Sequence, residues 1–224
     1  MSRWPRLPLQ QRRLPASRWW LWLCVLHGFS SMLVWWAGDA SSQLLTWRSG
    51  ESWSRPWTWW TSAWVHLHTP HLIGNQMVIG AFAAWAWLVR PDRPAAVAWF
   101  LSWPIATVAL NLWPQIGYCV GASGVLHAGV AIMAVFMILG HFQRGSEQAW
   151  GWILLIGLGF KVWSEQAWHT PVVWDSGANL SIVSAVHLTG ALSGMALALV
   201  VITVYALIVG FLHRLRRSAR LGDL

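Results

Sequence analysis

The sequence predicts an all-α membrane protein with six transmembrane helices, and three observations carry that prediction. Of 224 residues, 56% are hydrophobic and only 10% are charged, against about 25% charged in soluble domains. Six apolar runs alternate with polar connections, and most of the runs are long enough to cross a bilayer. The cations are sorted between alternate connections. If the N-terminus is inside, twelve basic residues fall inside (Arg3, Arg6, Arg12, Arg13, Arg18, Arg90, Arg93, Arg144, Arg214, Arg216, Arg217, Arg220) and three outside (Arg48, Arg55, Lys161). By the positive-inside rule both termini are cytoplasmic. The net charge of +8 therefore reports topology and contact with lipid headgroups, and a nucleic-acid partner is not expected.

Residues 1–18 form a basic cytoplasmic tail, 19–212 the six-span membrane domain and 213–224 a second basic tail. The first run, Trp19–Ala37, is longer than a usual signal-peptide core and is expected to be retained as a span. Residues 38–70 carry Trp53, Trp57, Trp59, Trp60 and Trp64, a density of tryptophan that predicts a segment lying in the outer interface. The second run spans His71–Val89. The third spans Ala95–Trp113, with a kink expected at Pro104. The fourth covers Ser123–Leu139, the fifth Trp150–Trp163 and the sixth Leu180–Leu212. Cys24 and Cys119 offer neither a disulfide framework nor zinc spacing.

Polar groups inside apolar runs are costly and mark function. Ser123 stands in Gly121-Ala122-Ser123-Gly124, where a polar loop becomes an apolar helix. The free N–H groups and positive end of that helix point back at the serine and can hold an oxyanion. The plainer alternative is a small-residue packing motif. His187 lies early in the sixth run, and Gly190 and Gly194 share one face of it. If that face meets the fourth span at Gly124, His187 reaches Ser123 and serves as its base. Otherwise His187 is an interhelical hydrogen-bonding residue. His71 and Asn75 share a face of the second span and can donate to an oxyanion or anchor the Trp-rich loop. His127, one turn after Ser123, is a rival base, ranked below His187 and expected to orient the site. His66, His68 and His71 could together hold a metal, but no carboxylate accompanies them in sequence, so His66 is expected to tie its loop by hydrogen bonds. No metal and no cofactor are expected.

These residues resemble the rhomboid intramembrane serine proteases. The family's G-x-S-G motif is matched by Gly121–Gly124, its H-x-x-G-x-x-x-G run by His187–Gly194, and its oxyanion H-x-x-x-N by His71–Asn75. Its structural histidine in the first loop matches His66. Within the family, Gly121-Ala122-Ser123-Gly124-Val125-Leu126-His127 is most similar to the rhombosortase branch, with Ala128 where that branch carries glycine. The resemblance implies a rhomboid-like bundle in the inner membrane of a bacterium, with its active site towards the periplasm. It also implies cleavage of transmembrane segments or C-terminal sorting tails of secreted proteins.

The expected chemistry is a Ser123–His187 dyad, with Ser123 N–H, His71 and Asn75 as oxyanion donors. Glu165 and Asp175 are both assigned to loops, so no acid is expected behind His187, whose orientation is left to packing. A catalytically silent relative that binds membrane helices, and a small transporter built on intramembrane histidines, are the rival classes.

Overall fold

The computed structural model describes residues 18–140, 147–176 and 180–222. The N-terminal tail, Arg144 and Gly177 lie outside the described residues. Among those described, eight α-helices dominate: α1 (Arg18–Ala37), α2 (Asp39–Leu45), α3 (Thr58–Thr61), α4 (Thr69–Val89), α5 (Arg93–Val108), α6 (Ser123–Ile138), α7 (Glu147–Glu165) and α8 (Ser184–Gly222). Four helical stretches are long and apolar enough to cross a membrane: Arg18–Ala37, Thr69–Val89, Arg93–Leu112 and Ser184–His213. Their outward faces expose Trp22, Phe29, Met77, Trp87 and Leu207. Such a surface is compatible with lipid as the solvent.

Apart from Ser123 and His127, α6 is built of apolar and small residues on every face, and from Gly124 to Met137 nearly every residue is buried. A helix apolar all round belongs in the middle of a bundle, and α6 packs against α4, α5, α7 and α8. Small residues make this possible. A Cβ on Gly190 would overlap the Gly124 carbonyl group, with the Gly124 carbonyl carbon only 2.9 Å away, and one on Gly194 would lie 2.8 Å from the Ala128 Cα. A Cβ on Gly151 of α7 would lie 2.9 Å from the Ala134 carbonyl oxygen of α6. Helices α6 and α8 therefore meet backbone to backbone along the stripe that the glycine spacing predicts. From α5, the Trp99 indole N–H donates to the Val125 carbonyl at 2.9 Å. Trp99 also stacks on Trp20 of α1, 4.3 Å between ring centroids. Pro104 lies inside α5, which continues to Val108.

The connection over residues 38–70 has secondary structure of its own. It contains α2, α3, two short 3-10 turns and strand β1 (Trp47–Arg48), which pairs antiparallel with β2 (Tyr118–Cys119) just before α6. Trp47 is fully buried and its indole donates to Ser52 Oγ at 3.0 Å, whereas Trp53 and Trp57 are exposed. The Gly121 N–H donates to the Ser62 carbonyl at 2.9 Å, so the loop holds the chain at the point where it turns into α6.

Several boundaries differ from the sequence-based expectation: α7 starts at Glu147, α5 ends at Val108 and α8 runs on to Gly222, and two further differences bear on the site. Helix α7 runs two residues past Trp163 and ends on Glu165. Residues 180–182 are not the start of the last helix but a strand, β4 (Leu180–Ile182), paired with β3 (Val173–Asp175) in a hairpin. Helix α8 starts at Ser184, whose hydroxyl donates to the Thr170 carbonyl at 2.6 Å. An apolar count cannot separate the last strand of a hairpin from the first turn of a helix when both are apolar.

Gly190→Ala is expected to destabilise the fold by about 1–3 kcal/mol through overpacking against Gly124. Gly157→Ala, where a Cβ meets nothing within 4 Å, should stay within about 0.5 kcal/mol of wild type. Thermal unfolding of both variants in detergent checks the contrast.

Candidate active site

Gly121 has a φ of 98°, a left-handed conformation that glycine adopts without strain. A Cβ there would also lie 2.6 Å from His71 Nε2. The turn at Gly121 thus does two things: it starts α6 and it lets the His71 ring lie against the backbone. The first helical N–H to find a carbonyl partner is that of Leu126, which donates to Ala122 at 2.9 Å. The N–H groups of Ser123, Gly124 and Val125 precede that ladder and form the positive end of the helix.

Ser123 Oγ lies 3.0 Å from His187 Nε2. The other ring nitrogen, Nδ1, lies 2.8 Å and 3.0 Å from the two carboxylate oxygens of Glu165. An ionised carboxylate only accepts, so Nδ1 carries the proton. In the neutral ring Nε2 is then a lone pair facing the serine, and Ser123 donates its Oγ–H to it. That is the tautomer a general base requires.

Glu165 is the contact of His187 that the sequence-based expectation misses. That expectation leaves His187 without an acid because the apolar run stops at Trp163 and Glu165 is assigned to a loop. In the structure Glu165 is the last residue of α7. Its partner Lys161, one turn earlier, also donates to its Oε1. The signal in the sequence is the pair itself, a Lys and a Glu four apart at the end of an apolar run, where charge is rare. Asp175 offers no comparable argument, because its side chain lies outside the described residues.

His127 does not compete for the serine hydroxyl. Its Nδ1–H donates to the Ser123 carbonyl at 2.7 Å, and its ring stacks on His187 with centroids 4.2 Å apart and planes 10° from parallel. It covers the His187 ring and leaves the Ser123 hydroxyl to His187 Nε2. On the far side of Gly121, His71 meets His66 edge-on at 5.0 Å. Asn75 Nδ2–H donates to His66 Nε2 at 2.8 Å, and His66 Nδ1–H donates to the Trp64 carbonyl at 3.2 Å. The two bonds agree on one neutral tautomer, and burial, reinforced by nearby His71, lowers the pKa of His66 to about 4. One amide hydrogen of Asn75 is thereby committed to His66, which fixes the side chain beside His71. Gly121, Gly124, Gly190 and Gly194 supply the close approaches on which this assembly rests. Cys119, four residues before the serine, is no rival nucleophile, since burial pushes its thiol up to about 12.

No family model matches this chain, and no curated protein matches it.

His66 binds a proton less readily folded than unfolded, so its contribution to stability is present above about pH 6.5 and is lost as pH falls towards 4. The melting temperature should fall across that window, and His66→Gln should lower it at pH 7.5 while flattening the fall. Melting curves at several pH values give both slopes.

Proposed function

We propose that the chain is an intramembrane serine endopeptidase of the rhomboid type, most similar to the rhombosortases. The single observation that carries this is the 3.0 Å approach of Ser123 Oγ to His187 Nε2 at the N-terminus of an apolar helix. A serine hydroxyl becomes a nucleophile when a neutral imidazole takes its proton. Here that pair sits beside helix N–H groups aimed at the place where negative charge would develop.

In the proposed reaction His187 Nε2 takes the Oγ proton as Oγ bonds to a peptide carbonyl carbon. The carbonyl oxygen becomes an oxyanion held by the Ser123 N–H, with His71 and Asn75 as further donors. The carbon–nitrogen bond then breaks, and His187 passes its proton to the leaving amine. Water, deprotonated by the same imidazole, then attacks the acyl carbon; the carbon–Oγ bond breaks, and His187 returns the proton to Oγ, which restores Ser123 and frees the acid.

The six long helices are read as six spans with both termini cytoplasmic and the Ser123 end of α6 towards the periplasm of a bacterial inner membrane. At sixteen residues, α6 is about 24 Å long, shorter than a hydrocarbon core of about 30 Å. A short central helix sets its first residue below the membrane surface while keeping it reachable by water. The substrates are transmembrane segments or C-terminal sorting tails of secreted proteins. A tail whose glycines weaken its helix presents an extended peptide to the serine most readily.

A fluorophosphonate probe should label the wild-type protein in membranes. Ser123→Ala should take no label, and His187→Ala should label at least about 10³-fold more slowly, as expected when nucleophile and base act as a unit. His127→Phe, which retains a ring over His187, should label within about tenfold of wild type. Equal labelling of wild type and Ser123→Ala would refute the assignment, and no labelling of a folded wild-type protein would favour the catalytically silent class.

A further inference from the structure

We infer that Glu165 is a positioning residue for His187, so that the site is a Ser–His–Glu triad whose acid is delivered by the end of α7. This rests on the serine-hydrolase reading above for its kinetic consequences, but the hold on the imidazole is a property of the geometry alone.

Three features separate this contact from a chance surface ion pair. Both carboxylate oxygens lie within hydrogen-bond distance of Nδ1, at 2.8 Å and 3.0 Å. The pair is shielded, with the side chains of His187 and Glu165 only 8% and 15% exposed. The backbone also ties the two residues together. After Glu165 the chain turns sharply at Gln166, which adopts a positive φ of 46°, a conformation that costs energy for a residue with a Cβ. Thr170 then donates from Oγ1 to the Glu165 carbonyl at 3.2 Å. Ser184 donates from Oγ to the Thr170 carbonyl at 2.6 Å, and the Ala185 N–H donates to the Pro171 carbonyl at 3.1 Å. The end of α7 and the first turn of α8 are thus laced together within three residues of His187.

Lys161 completes the device. It is half exposed, reaches back one turn and donates to Glu165 Oε1. Its charge favours the ionised carboxylate near lipid, where an isolated anion would be costly. An ionised Glu165 does two things for catalysis: it keeps the proton on Nδ1, and it stabilises the imidazolium that forms when Nε2 takes the serine proton. The charged and titratable groups facing His187 are Glu165 and Lys161 from α7, His127 from α6 and His71 from α4. Of these, Glu165 is the only anion.

The test compares wild type with Glu165→Leu, Glu165→Gln and Glu165→Asp in the full-length protein, by two readouts. The first is nitrogen NMR of the histidines, assigned with a His187 variant, which reports the tautomer without needing activity. His187 should carry its proton on Nδ1 in wild type and Glu165→Asp, and lose that preference in Glu165→Leu. The second is kinetics on a reporter bearing a cleavable tail. Glu165→Leu and Glu165→Gln should lower kcat by about 10²–10⁴-fold, in the range seen when the acid of a triad is removed. KM should change less than about threefold, the acidic limb of the pH–rate profile should move to lower pH, and Glu165→Asp should restore much of the rate. Should Glu165→Leu fail to fold, the nearly isosteric Glu165→Gln carries the kinetic readouts, and the wild-type tautomer stands as its own measurement. An unchanged His187 tautomer in Glu165→Leu, a wild-type proton on Nε2, or a kcat within threefold of wild type overturns the proposal. A folded wild type that neither cuts the reporter nor takes a phosphonate label refutes the hydrolase reading instead, and the NMR readout still decides the role of Glu165.

Discussion

The site depends on the contact between the backbones of α6 and α8. Gly190 sits over the Gly124 carbonyl and Gly194 over Ala128, so no side chain holds the two helices apart. Serine and histidine are both short. A serine Oγ extends one bond beyond Cβ, and an imidazole has two torsions with which to search. Only helices in near backbone contact bring these two groups to 3.0 Å. For helices in lipid there would be no hydrophobic drive pressing them together, and the approach would rely on close packing of small residues and on hydrogen bonds between helices. The same glycines that bring the helices together therefore also bring Ser123 and His187 within hydrogen-bond distance.

Around that contact each neighbour supplies one element. Helix α4 brings His71 and Asn75 to the start of α6, held by His66 and the ordered loop before it. Helix α5 locks the first turn of α6 through Trp99 and Val125. Helix α7 closes the back of the imidazole with Glu165. His127 covers the front. The polar groups satisfy one another: each hydrogen-bond donor on His66, Asn75, His127 and His187 described above meets an acceptor. That matters because a buried polar group without a partner costs about 1–3 kcal/mol, and a cluster of this size left unpaired would unfold a marginal protein.

Much of this is legible in the sequence, and the reasons are physical. Gly190 and Gly194 lie four apart on one helix face, and the Gly121–Gly124 turn marks where α6 must begin, so helix position and helix contact follow from local spacing. His71 and Asn75 share a face for the same reason. Glu165 is not legible in this way. Its partner lies 22 residues away, beyond a left-handed turn and a β-hairpin, and neither feature is encoded by periodicity. Hydropathy marks where apolar character stops, not where the helix stops, so α7 reads as ending at Trp163 although it carries two more residues. The packing between His127 and His187 is illegible for a related reason. Spacing alone shows that His127 can reach back to Ser123, but not which atom it meets: its Nδ1–H bonds the Ser123 carbonyl while its ring stacks on His187, which comes from another helix. The sequence leaves the base open between the two histidines; the geometry favours His187.

The most direct measurement is a high-resolution structure of the protein in lipid after reaction with a phosphonate. The account predicts an adduct on Ser123 Oγ, its phosphonyl oxygen within hydrogen-bond distance of the Ser123 N–H, and His187 Nε2 about 3 Å from Oγ, with α6 and α8 still touching at Gly124 and Gly190. An adduct on any other residue, or a His187 ring turned away from Ser123 with those helices parted, would contradict it.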